Sequence, residues 1–124
     1  MQLIIDNRTG VQNQDIEIYS SEDKIALELL SKLDGNQHTM LSLKRKDGWQ
    51  LIIGGGPAHY IITLGDGEKQ LTFLNINGDE ATDVEVCAGG QFGQFPETLC
   101  ADHRQATEII SAFFDKQEMQ KTWI

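Results

Sequence analysis

Four groups of residues have the type and spacing to invite a chemical reading. Gly54-Gly55-Gly56 offers bare backbone N–H groups of the kind that cradle phosphate. A nucleotide loop needs Gly-Lys-Ser/Thr running into a helix, however, and here Pro57 follows between segments that read as strands. The tract is expected to be a glycine-rich bend or bulge. His38, His59 and His103 have neither the helical nor the short-loop spacing that brings two imidazoles to one metal. Cys87 and Cys100 lack C-x-x-C spacing and read as small packing residues, reduced to thiols. The carboxylate pairs Asp79-Glu80 and Asp83/Glu85 would serve acid–base chemistry if held around a cleft. Flanking an Asn-Gly turn on an exposed strand face, they read as solvated charges. No serine sits in a nucleophile turn. The expectation is therefore no catalytic residue, no metal and no cofactor.

The carboxylates carry a different signal. The 124 residues hold ten Lys and Arg against nineteen Asp and Glu, a formal charge of −9. That balance disfavours direct binding to nucleic acid or to an anionic membrane. The excess is uneven: residues 64–102 contain eight carboxylates against Lys69 alone, a net −7, whereas residues 41–63 are net positive. A concentrated acidic stretch either solubilises the surface or meets a basic partner. No apolar run approaches the roughly 20 residues of a membrane span. The opening residues Met1–Asn7 show no basic cluster followed by an apolar stretch, so a cytoplasmic location is expected.

Positioning these residues requires a fold. The length suits one domain, with no repeat or linker-like tract to divide residues 1–124. Leu3–Asp6 and Asp15–Tyr19 read as two short strands around the turn-prone Asn7-Arg8-Thr9-Gly10, forming a hairpin or a pair of edge strands. Ser20 or Ser21 can cap a helix with Ile25, Ala26, Leu29, Leu30 and Leu33 on one face, stopped by Asp34-Gly35-Asn36. Alternation from Thr39 to Arg45 and from Trp49 to Ile53 around Asp47-Gly48 predicts a hairpin with a two-residue turn. Further strands are expected over Ala58–Leu64, Gln70–Ile76 and Thr82–Ala88, with Asn77-Gly78 as the turn between the last two. Val84 and Val86 face the core there, opposite Asp83 and Glu85. Residues 89–96 read as a loop bearing Phe92 and Phe95. Asp102 starts a second helix with Ala106, Ile109, Ile110, Phe113 and Phe114, and Thr122-Trp123-Ile124 closes the chain. The expected class is α+β: an antiparallel sheet of consecutive hairpins with two helices packed on it.

The stretch Leu99–Phe114 followed by Thr122-Trp123-Ile124 resembles the ending of immunity protein family one, from contact-dependent inhibition and other bacterial polymorphic toxin systems. The matching positions are Ala106, Ile110, Phe113 or Phe114, and Trp123. The helix start Ser21-Glu22 with Leu29, Leu30 and Leu33, the turn Asp47-Gly48 and the strand end Leu51–Gly55 are similar to the rest of that pattern. Element order and length match over essentially the whole chain. The spacer Lys116–Lys121 departs from it, lacking the Gly and Pro that commonly precede the tryptophan.

The resemblance implies an antidote that binds a cognate toxin domain, a nuclease or a deaminase, and blocks its active site without chemistry of its own. An acidic surface would then occupy the place of the toxin's polyanionic substrate. The charge distribution nominates Asp66, Glu68, Asp79, Glu80, Asp83 and Glu85 as contact residues, with Phe92 and Phe95 as aromatic anchors. Two other readings compete: a small-molecule-binding protein with its pocket near Gly54–Pro57, and a carboxylate-based enzyme.

Overall fold

A computed structural model describes residues 1–117 and 122–124. The chain runs β1 (Gln2–Ile5), β2 (Arg8–Thr9), β3 (Gln12–Asn13), β4 (Ile16–Tyr19), α1 (Asp23–Lys32), β5 (Met40–Lys44), β6 (Gln50–Gly55), β7 (Tyr60–Gly65), β8 (Gln70–Leu74), β9 (Asp83–Ala88), β10 (Gln91–Pro96), a 3-10 turn at Glu97–Leu99, α2 (His103–Phe114) and β11 (Thr122–Trp123). Seven strands form one antiparallel sheet in the order β11-β8-β7-β6-β5-β1-β4. β9 pairs with β10 in a separate ribbon, and β2 with β3 in a second, smaller one. The α+β class expected from the sequence is the class observed. Residues 118–121 of the spacer noted above lie outside the described residues.

Register explains the layering. Ile18, Leu3, Leu43, Leu51, Leu64 and Leu71 are successive partners across the sheet, and Ile5, Leu41, Ile53 and Ile62 form the next row on the same face. Strand side chains alternate, so these rows present one continuous apolar face. Both helices cover it, contributing Ala26, Leu29 and Leu30 from α1 and Ala106, Ile109, Ile110 and Phe113 from α2, all buried. Each large side chain of this core contributes about 1.5–3 kcal/mol relative to exposure. The row between them, Glu17, Ile4, Ser42, Ile52, Thr63 and Thr72, lies on the opposite face.

The helix ends differ. Asp102 forms a capping box at α2: its carboxylate accepts from Gln105 N–H at 2.7 Å and its own N–H donates to Gln105 Oε1 at 2.9 Å. In α1 the cap position is Glu22, without a side-chain cap bond. Ser20, expected as a cap, instead uses its hydroxyl on Glu22 N–H and C=O, shaping the turn before the helix. Arg45 fastens the sheet to the end of α2, donating to the Phe113 carbonyl at 3.0 Å and lying 4.5 Å from the centre of its ring.

Several turns depart from expectation. β1 and β4 do pair, but β1 also takes β5 on its other side, so of these two strands β4 alone is an edge. The β5–β6 turn has three residues, because Arg45 N–H donates to Trp49 O and Gly48 adopts φ +94°. Asn77-Gly78 joins no hairpin. The backbone beyond β8 is taken by the segment before α2, with Asn75 N–H donating to Thr98 O at 2.6 Å, and β8 pairs with β7 and β11. The hairpin turn is Gly89-Gly90, both at positive φ, and residues 91–96, expected as a loop, form the strand β10.

Candidate functional site

The β9–β10 ribbon lies on the sheet face opposite the helices, over β6 and β7. The glycines of β6 make this possible. A Cβ on Gly54 would stand 2.5 Å from Ala88 Cβ, and one on Gly55 would stand 2.7 Å from Val86 Cγ1. Gly56 abuts the Leu33 carbonyl, where a Cβ would come within 2.2 Å. Gly54 and Gly55 thus leave room for Ala88 and Val86 of the ribbon, and Gly56 for the backbone after α1.

The ribbon tip is held by a buried polar hub that the sequence reading missed. Asp6, 4% exposed, accepts from Thr39 N–H at 2.6 Å, from Met40 N–H at 3.0 Å, from the Thr39 hydroxyl and from Arg8 Nε at 2.6 Å. Burial alone raises its pKa, yet the bonds from Thr39, Arg8 and Met40 together outweigh it and hold the carboxyl below the ordinary aspartate value. Thr39 Oγ1 in turn accepts from Gly90 N–H at 2.9 Å, linking hub to ribbon. The signal available was a lone aspartate closing the apolar run Leu3-Ile4-Ile5. Two of its partners, Thr39 and Met40, lie 33 and 34 residues away, beyond the reach of local pattern.

With its inner side fixed, the ribbon presents the other. Strand pairing sets Phe92 opposite Cys87, Gln94 opposite Glu85 and Pro96 opposite Asp83 on one face of the ribbon, where Cys87 alone is buried. Asp83 and Glu85 are exposed, as is 72% of Phe92. Gln94 Nε2 donates to Glu85 Oε2 at 3.3 Å across the strands. Phe95 pairs with Val84 on the inner side, is half-buried, and folds against Gly93.

The remaining nominated carboxylates fall in two places. Asp79 and Glu80 lie in the crossover leading into β9. Asp79 accepts from Ala81 N–H and the Thr82 hydroxyl, which lower its pKa. Asp66 and Glu68 occupy the β7–β8 turn, where Asp66 accepts from Lys69 and Glu68 N–H groups and is likewise lowered. Five residues of β8 separate that turn from the crossover, about 17 Å of extended chain. The structure therefore places Asp83, Glu85 and Phe92 on one face of the ribbon, puts Asp79 and Glu80 in the crossover at its base, and leaves Asp66 and Glu68 at the β7–β8 turn.

Ion pairing leaves the acidic ribbon uncompensated. Among the described residues the pairs are Arg8–Asp6, Arg45–Asp47 and Arg104–Glu108, and none involves the six nominated carboxylates. Both cysteines are buried free thiols whose pKa burial pushes up, with Glu97 adding to the effect at Cys100. Among the described residues no three His, Cys, Asp or Glu side chains converge as metal ligands, and no helix is long and apolar enough to cross a membrane. No family model matches this sequence, and no curated protein matches it.

Proposed function

We propose that this chain is an immunity protein, which binds a cognate toxin domain and blocks its basic active site with an acidic surface. One observation carries the reading: one face of the β9–β10 ribbon combines Asp83 and Glu85, exposed and in no ion pair among the described residues, with an exposed phenylalanine, Phe92. Exposed carboxylates beside a large apolar side chain suit a protein partner with a basic rim around an apolar spot. A nuclease or a deaminase acting on nucleic acid has such a surface, because its own substrate is a polyanion. The ribbon is anchored along its inner side by Gly54, Gly55 and the Asp6–Thr39 hub, so its contact face is rigid before binding and loses little entropy on docking. The family resemblance of the helix-and-tryptophan ending supports the same assignment.

The test is co-expression. The C-terminal domain of the protein encoded directly upstream of this chain's gene is induced with and without the chain, and survival is counted. Rescue by the chain is expected, and equal killing in both arms overturns the reading.

A further inference from the structure

A surface cleft of about 450 Å³ lies beside the ribbon, lined by Arg8 and Val11 of the β2–β3 hairpin, Asn36 of the turn after α1, and Cys87, Gly90 and Phe92 of the ribbon. Its rims are unusual. Val11 stands fully exposed at the tip of the small hairpin, and Phe92 faces it from an element 81 positions further along the chain. Both leave most of their apolar surface to solvent, Val11 all of it and Phe92 72%.

Charge defines what fits between them. Arg8, the one cation lining the cleft among the described residues, is bound to Asp6 at 2.6 Å and lies against Gly90, whose Cβ position would fall 2.5 Å from the guanidinium. Glu85 projects from the same ribbon face as Cys87 and Phe92, with no ion pair among the described residues. Asp34 precedes the lining residues Gly35 and Asn36, its carboxylate accepting from the N–H groups of Asn36 and His38. The cleft thus has two exposed apolar side chains in its lining, its arginine neutralised by Asp6, and carboxylates on neighbouring residues.

We infer that this cleft is an anchor pocket, in which Val11 and Phe92 clamp one apolar or aromatic side chain of the toxin domain while Glu85 and Asp34 meet lysines or arginines flanking it. The inference rests on the immunity reading above and adds to it a second wall, the β2–β3 hairpin, which lies outside the acidic stretch altogether.

The probe is the same C-terminal domain encoded upstream, titrated against the wild-type chain, Val11→Ser, Phe92→Ser, the double variant, and Tyr19→Ser as an exposed control at the sheet edge. Phe92→Ser is expected to weaken binding about thirtyfold, and Val11→Ser about tenfold. Because both side chains hold one guest, the double variant should lose far less than the product of the two, about three-hundredfold. Thermal midpoints should not move, since both side chains are exposed. Losses that multiply in full mean two separate contacts and overturn the pocket, as do unchanged affinities or an equal loss in Tyr19→Ser. So does an effect confined to self-association of the chain. In each of these cases the wild type still binds and the immunity reading stands. A wild type that does not bind the toxin domain overturns both.

Discussion

Replacing Asp6 with alanine tests the account of how the ribbon is held. The carboxylate is 4% exposed and serves four donors: Thr39 N–H, the Thr39 hydroxyl, Met40 N–H and Arg8 Nε. Alanine leaves an unpaired guanidinium and three further donors. Breaking a buried pair costs about 3–5 kcal/mol, and each orphaned donor that water does not reach costs about 1–3 kcal/mol. A loss of about 3–5 kcal/mol is a large part of the roughly 5–15 kcal/mol available to a domain of this size. At about 4 °C per kcal/mol, the midpoint should fall by about 12–20 °C in calorimetry. The pH dependence supplies an independent check. Asp6 has a folded-state pKa below its unfolded value, so its stabilisation is complete above the unfolded pKa, near 3.9, and disappears as pH falls through the lower folded value. The alanine variant should therefore lose less stability than wild type on acidification, and Gly90 N–H, whose acceptor is Thr39 Oγ1, should exchange faster with solvent. A midpoint within about 3 °C of wild type would show that the hub contributes little and would refute this reasoning.

Three other changes address separate parts of the structure. Asp102→Ala removes the carboxylate that accepts from Gln105 N–H while leaving the backbone N–H of the capping box in place, and should cost about 1 kcal/mol in urea unfolding, with no change in the denaturant slope. Gly55→Ala places a Cβ 2.6 Å from the His59 carbonyl and 2.7 Å from Val86 at φ +108°, so it should cost more than about 2 kcal/mol. Proteolysis at Gly89-Gly90 should accelerate with it as the ribbon lifts. Asp83→Lys with Glu85→Lys should slow association with the toxin domain and reverse its salt dependence while leaving thermal unfolding within about 0.5 kcal/mol. Binding kinetics that ignore both the charges and the salt would remove the acidic face from the interface.

Much of this fold is legible along the chain because its strongest signals are local. The periods of Ile25–Leu33 and Ala106–Phe113 describe real helix faces, and the alternation around Asp47-Gly48 describes a real hairpin. The ribbon was concealed for a physical reason. β10, Gln91-Phe92-Gly93-Gln94-Phe95-Pro96, has no run of buried apolar residues because the ribbon meets the glycines of β6 through Val86 and Ala88 of β9, and β10 is carried alongside. Asn77-Gly78 and Gly89-Gly90 are both acceptable turns to local chemistry. What separates them is the claim of Thr98 on Asn75, a contact spanning 23 residues. The same limit applies to the site. Charge counting found the acidic stretch but could not tell Asp83 and Glu85, side by side on one strand, from Asp66 and Glu68 at a distant turn. Val11, Arg8 and Asn36 gave no sign of belonging with Phe92.

The strand order also sets the sequence of assembly. β5, β6, β7 and β8 are neighbours both in the chain and in the sheet, so this meander zips through short loops of low closure entropy. β1 and β4 must dock on one flank from before α1, and β11 on the other from beyond α2. Each addition closes a long loop. The ribbon can land only after β6 has bared its glycines and β1 has brought Asp6 to Thr39. Nucleation in the centre, completion at the flanks and placement of the acidic face last is the order this topology favours, which makes that face the most sensitive reporter of whether the rest has folded.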